Sequence, residues 1–199
     1  MNHYLISLAA LALPLLAAVP HELAPFTWRH QCPQLEPLFP GPLSHKGSQT
    51  VSGLDEYLNS DKFFNTSVDR LSGAVQIETV SQDWWQDLPG NDPVWNHMKR
   101  FRRYLKKTFP LVHHHLDLEK VNKHGLVYTW KGKAPSLKPT LLLAHQDVVP
   151  VPGDTINEWT YPPFSGHFDG KYVWGRGAYD CKTTLIGTMS AVEALLKFG

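Results

Sequence analysis

The sequence predicts an α/β fold in which a central, mostly parallel sheet is covered by helices. Three observations predict it. The apolar run Leu141-Leu142-Leu143-Ala144 ends in His145-Gln146-Asp147. Such a run reads as a buried strand that delivers polar residues to a sheet edge, where open α/β sheets keep their chemistry. Further on, Gly175-Arg176-Gly177 leads into Asp180 and then into a helix-periodic stretch carrying Leu185, Ile186, Met189, Val192, Leu195 and Leu196 on one face. Upstream, helix-periodic stretches precede short alternating ones, the mixture expected of helices packed on strands.

In chain order, residues 4–19 are almost wholly apolar and resemble a signal-peptide core, shorter than the roughly 20 residues that span a bilayer. A signal peptide or signal anchor is expected over residues 1–19. Pro20, Pro25, Pro33, Pro37, Pro40 and Pro42 then leave no room for a regular helix, so residues 20–60 are expected to form a linker or propeptide. Asn65-Thr66-Ser67 is the only Asn-x-Ser/Thr sequon, which makes Asn65 the glycosylation candidate of a secreted or vacuolar chain.

The globular part is expected to begin at Asp61, with a helix capped by Ser60 or Asp61 and striped by Phe63, Phe64, Val68, Leu71 and Val75. Residues 76–80 read as a short strand. Asp92-Pro93 opens a second helix with the stripe Trp95, Met98, Phe101, Leu105 and Phe109, and its Lys99, Arg100, Arg102, Arg103, Lys106 and Lys107 read as a solvated face. Pro110 ends it. His113-His114-His115 is not read as a metal site, because consecutive side chains cannot all point one way. Residues 116–121 alternate as a half-buried strand and pair with 126–130 through a turn containing Asn122 and Gly125. Trp159, Tyr161 and Phe164 either line a substrate rim or pack their loop onto the sheet. Asp169-Gly170 signals a hairpin turn before the strand 171–174. Gly175-x-Gly177 lacks the Gly-Lys-Ser/Thr of a phosphate cradle and serves to turn the backbone sharply.

In an extended segment residues i and i+2 point the same way, so Asp147 lies beside the His145 imidazole and can accept a ring N–H, fixing the tautomer. The competing reading is a strand-end His and Asp satisfied by backbone groups. Asp180, on a second strand-to-helix loop, adds a carboxylate and shifts the balance towards a metal site.

Three blocks carry a family resemblance: His145-Gln146-Asp147-Val148-Val149-Pro150-Val151, Trp159-Thr160-Tyr161-Pro162-Pro163-Phe164-Ser165-Gly166, and Tyr172-Val173-Trp174-Gly175-Arg176-Gly177-Ala178-Tyr179-Asp180-Cys181-Lys182. They resemble the carboxypeptidase S (Gly-Xaa carboxypeptidase) group of the co-catalytic zinc peptidases, the family that includes the aminoacylases. The likeness extends over roughly residues 51–199. It implies that residues 61–199 are the N-terminal part of a zinc-peptidase catalytic domain. His145 would be a ligand of one zinc, Asp180 the carboxylate bridging two, and Asp147 the catalytic-site residue that orients His145. A cis peptide at Asp180-Cys181 is also implied. Glu78 departs from the proline usual at that position.

The resemblance further implies a Glu-Glu pair, one member a general base and the next a ligand, followed by a further carboxylate and a late His. None follows Asp180 in these 199 residues. The expected function is zinc-dependent hydrolysis of C-terminal peptide bonds or N-acyl amino acid amides, with two zincs per complete site that this chain does not fully bind, and the chain alone inactive. The alternative is a catalytically inactive fragment or an interaction module.

Composition narrows the rest. A hydrophobic content of 42% supports a core, and 19 Lys and Arg against 18 Asp and Glu imply no nucleic-acid partner. Membrane contact is expected only through an N-terminal anchor. Cys32 and Cys181 are expected as free thiols, Cys181 in a packing role. No Gly-x-Ser-x-Gly or His-Glu-x-x-His motif offers a rival hydrolase.

Overall fold

The computed structural model describes residues 45–85 and 87–199. The apolar leader, the prolines of residues 20–42 and Cys32 lie outside them. Among the described residues five α-helices occur: α1 (His45–Leu58), α2 (Asp61–Val75), α3 (Asn96–Thr108), α4 (Pro110–His115) and α5 (Thr183–Phe198).

Helix α1 corrects the expectation that residues 20–60 exclude a helix. The prolines stop at Pro42, and the chain beyond is free to coil and to pack. Tyr57 places its ring 5.3 Å from Phe63 and 5.3 Å from Phe198. Ser60 caps α2 as predicted, its hydroxyl accepting the Phe63 N–H at 3.2 Å. Asp92 caps a single 3-10 turn, Pro93–Trp95, that leads into α3.

The core forms where α2, α3, α4 and α5 meet. Ala74, Phe101, Phe109 and Val112 are completely buried, and Leu105, Ile186 and Met189 complete the cluster. Each buried large side chain contributes about 2–3 kcal/mol of transfer free energy. The α3 stripe is as predicted. That of α5 packs on the core through Leu185, Ile186, Met189, Val192 and Leu196 as predicted, while Leu195 is 45% exposed and Ser190, Glu193 and Ala194 are also buried. Glu193 is buried because its carboxylate accepts the N–H groups of Leu111 (3.1 Å) and Val112 (2.9 Å), donors that the first turn of α4 leaves free.

Strands β1 (Asp117–Val121) and β2 (Gly125–Thr129) pair antiparallel from Asp117↔Thr129 to Val121↔Gly125, the predicted hairpin. Asn122 and Lys123 take positive φ in its turn. β1 is exposed along its length, not half-buried; it is β2 that packs on the core, through Leu126 and Tyr128. Strands β3 (His167–Phe168) and β4 (Val173–Trp174) form the second hairpin, at the predicted Asp169-Gly170 turn. Asp169 closes that turn, accepting the N–H groups of Lys171 (2.8 Å) and Tyr172 (2.7 Å) and the Trp174 indole N–H (2.7 Å).

The α/β class is as predicted. Parallel pairing is represented among the described residues by one bridge, Val80↔Val148. Residues 76–80, expected as a strand, contribute only that bridge. The run Leu141-Leu142-Leu143, expected to be buried, is 77%, 61% and 75% exposed. Burial of a strand needs a neighbour on its edges or faces, and none lies beside this run among the described residues. Nor is any described helix long and apolar enough to cross a membrane.

Candidate metal centre

The site is assembled by two loops. The first leaves the Val80↔Val148 bridge, where Val148 N–H donates to Thr79 O (2.9 Å) and Ser81 N–H donates to Val148 O (3.1 Å). The fully buried Thr79 adds a hydroxyl bond to Gln146 O at 2.6 Å. These bonds fix residues 146–148, so His145 and Asp147 project together.

The second loop turns at Gly175 (φ 148°) and Gly177 (φ 85°), conformations that side-chain-bearing residues rarely adopt. A Cβ at Gly175 would also strike Val75, and one at Gly177 would strike Val148. The glycines therefore serve close backbone approach as well as the turn. After them Asp180 (φ −111°) and Cys181 (φ −133°) leave helical geometry, and the peptide between them is cis. α5 starts at Thr183.

His145 stands between two carboxylates. Its Nδ1 lies 3.2 Å from Asp147 Oδ1 and 3.0 Å from the Asp147 carbonyl oxygen, and its Nε2 lies 2.9 Å from Asp180 Oδ1. Two acceptors at Nδ1 place the neutral ring's proton there and turn the Nε2 lone pair towards Asp180. A lone pair facing a carboxylate is repulsive unless a proton or a metal ion lies between them. The hydrogen bond with the Asp180 carboxylate raises the imidazole pKa above its ordinary value; burial opposes the rise and Asp147 adds to it.

Asp147 is anchored from behind, its Oδ2 accepting the Ser81 hydroxyl at 2.5 Å. Lys182 is completely buried under the second loop. Its ammonium donates to Ala74 O (3.0 Å) and Ile77 O (2.7 Å) at the end of α2 and lies 5.2 Å from the Phe101 ring centre. Burial pushes its pKa down to about 8.

The structure thus brings together the three residues singled out from the sequence, His145, Asp147 and Asp180. It adds a sulfur: one ligand atom each from His145, Asp180 and Cys181 lie within 4.8 Å of one another, a group that could hold a metal ion. Cys181 Sγ also accepts the His145 N–H at 3.3 Å. An imidazole nitrogen, a carboxylate and a thiol are the donor types zinc takes, so the residues fit that metal.

Other candidates lie elsewhere. His113 is spent on structure, its Nδ1 2.8 Å from Phe109 O and its Nε2 2.9 Å from the Tyr128 hydroxyl. Of the loop aromatics, Tyr161 stacks on His167 at 3.9 Å and meets Trp174 edge-on, while the Trp159 ring lies 5.2 Å from the Arg176 guanidinium. These contacts favour loop packing. Asn65 is exposed on α2. Sequence reasoning missed Ser81 and Lys182. Lys182 carried a signal, a cation directly beyond the site loop at the head of an apolar helix; Ser81 carried none, because its partner is 66 residues away.

Comparison with known proteins gives the same direction. Residues 141–199 match the model of peptidase family M20/M25/M40. Carboxypeptidase S of Saccharomyces cerevisiae is 48% identical over 169 residues, covering 83% of this chain and 28% of that protein. A probable carboxypeptidase S-like protein of Dictyostelium discoideum is 42% identical over 130 residues, 65% of this chain and 24% of that protein. An N-fatty-acyl-amino acid synthase/hydrolase of Mus musculus is 38% identical over 128 residues, 63% of this chain and 24% of that protein. No solved structure matches. The chain spans about a quarter of the length of these relatives, and the family match over residues 141–199 includes both loops of the site. It belongs to peptidase family M20/M25/M40, as a carboxypeptidase S-like member.

Proposed function

We propose that this chain carries part of the co-catalytic zinc centre of a metallocarboxypeptidase that hydrolyses C-terminal peptide bonds or N-acyl amino acid amides. The carrying observation is the His145 imidazole held between Asp147 at Nδ1 and Asp180 at Nε2. His145 and Asp180 would be the zinc ligands, Asp180 the one shared between two ions, and Asp147 would fix the tautomer that leaves Nε2 free. Bound zinc supplies Lewis acidity and lowers the pKa of its water. The chain's own contribution is orientation: Ser81 holds Asp147, Asp147 holds His145, and the glycine turn with Lys182 beneath it sets Asp180. On this reading these 199 residues lack the general-base glutamate and the remaining ligands, so the chain alone is expected to hold the zinc pair incompletely and without turnover.

The same reading places the protein in the secretory pathway, in a vacuolar lumen or secreted, with its apolar N-terminus as signal or anchor and Asn65 glycosylated. The test is intact mass, zinc content and hydrolysis of a blocked dipeptide by protein purified from its source. A product much longer than 199 residues with about two zincs and activity supports the reading, and an active product without metal refutes it. A second reading, a non-catalytic interaction module, draws on the exposed Leu141, Leu142 and Leu143 and on Tyr179, 89% exposed beside Asp180. A metal-free, inactive product of this length favours it.

A further inference from the structure

Two imidazoles outside the metal centre support the segment that carries it. His97 opens α3 and His124 lies in the β1–β2 turn. Trp95 packs against His124 with ring centres 5.0 Å apart, and Trp85 lies 5.8 Å from Trp95 and 6.1 Å from His97. Each histidine spends one ring nitrogen on a backbone group, Val80 for His97 and Gly90 for His124. The other nitrogen, Nε2 in both, is buried and unpartnered, as is the Trp95 indole nitrogen. Bonding a carbonyl fixes the proton on the first nitrogen and leaves a bare lone pair on the second, so both rings are neutral.

The charged groups acting on the pair are Arg100 and Lys182 at His97, and Lys99, Arg102 and Lys123 at His124. All are cations. Burial is the leading cause that holds both rings below the ordinary imidazole value, and His124 also opposes the charging of His97. A proton taken up at either Nε2 would create a buried cation with no acceptor among five other cations.

Both residues are tied to the site, His97 through its ring and His124 through its backbone carbonyl. His97 holds Val80, which bridges Val148 and precedes Ser81, the anchor of Asp147. The His124 carbonyl accepts the Gln146 side-chain N–H at 2.7 Å, and Gln146 lies between His145 and Asp147. We propose that His97 and His124 are positioning residues that hold residues 145–148 in place only while both rings are neutral, so that protonation of the pair loosens the metal centre from behind. Its relevance to catalysis rests on the zinc-peptidase reading; the support itself does not.

The test is amide hydrogen exchange on the metal-free chain at pH 7 and pH 5, corrected for intrinsic rates and read at Val148 and Ser81, whose N–H groups close the bridge. Wild-type protection is expected to fall about tenfold or more between the two conditions. The double variant His97→Asn, His124→Asn keeps a donor near each carbonyl and has no ring to titrate, so its protection should change less than about twofold. Unchanged protection in the wild type, or an equal loss in the double variant, overturns the proposal. Should the double variant fail to fold, the ring-carbon resonances of the wild-type histidines decide: midpoints for His97 and His124 below about 6.5 support it and midpoints above overturn it. None of these readouts uses metal, so a failure of the zinc reading leaves them intact and is separately visible as absence of zinc binding.

Discussion

The Ser81 hydroxyl donates to Asp147 Oδ2 at 2.5 Å, across 66 residues of sequence, and leaves Asp147 Oδ1 to face the His145 ring. Outer partners that orient a ligand typically change metal affinity by about 10–100-fold when removed. Ser81→Ala is therefore expected to weaken zinc or cobalt binding about tenfold with little change in folding stability, and Ser81→Thr to retain most of it. Competitive titration against a chromophoric chelator reads both.

Lys182 is a buried cation whose partners are two carbonyls and an aromatic face. Lys182→Met strips Ala74 O and Ile77 O of their donor and is expected to cost about 1–3 kcal/mol in urea unfolding. The wild-type ammonium also confers a pH dependence of definite sign. Its folded value of about 8 lies below the unfolded one, so between these the unfolded chain binds more protons. Stability relative to Lys182→Met should rise as pH climbs from about 8 to about 10.4, and level off beyond.

Asp169 acts with the same sign at the acid end of the scale. The Tyr172 amide first, then the Trp174 indole and the Lys171 amide, hold its pKa down to about 2. Its contribution is complete above the unfolded value near 3.9 and is lost as pH falls towards 2. Amide protection of Lys171 and Tyr172 should disappear in that window, and Asp169→Ala should abolish the protection at neutral pH.

Gly177 combines a positive φ with a Cβ position already occupied by Val148. Gly177→Ala is expected to destabilise the site loop by more than about 1 kcal/mol and to lower metal affinity, whereas Gly132→Ala, in open space, should do neither.

What the sequence made legible was local. Ser60 and Asp92 as caps, the Phe101 stripe, the Asp169-Gly170 turn and the i, i+2 pairing of His145 with Asp147 follow from spacing along one element. What it hid depended on partners distant in sequence. The burial of Glu193 on α5 could not be read from the sequence because its partners lie on α4. The run 141–143 looked buried because its composition suits a covered strand, yet burial is a property of neighbours, and none lies beside it among the described residues. Ser81 and Lys182 escaped notice because each acts on groups 66 to 108 residues away.

The central claim is that His145 and Asp180 share a metal ion. Cobalt titration of the purified chain, followed by visible absorption and repeated on His145→Ala and Asp180→Asn, tests it most directly. The account predicts a cobalt spectrum in the wild type that zinc displaces, reduced at least tenfold in affinity by either substitution. A wild type that binds no cobalt, or variants that bind it equally well, would contradict it.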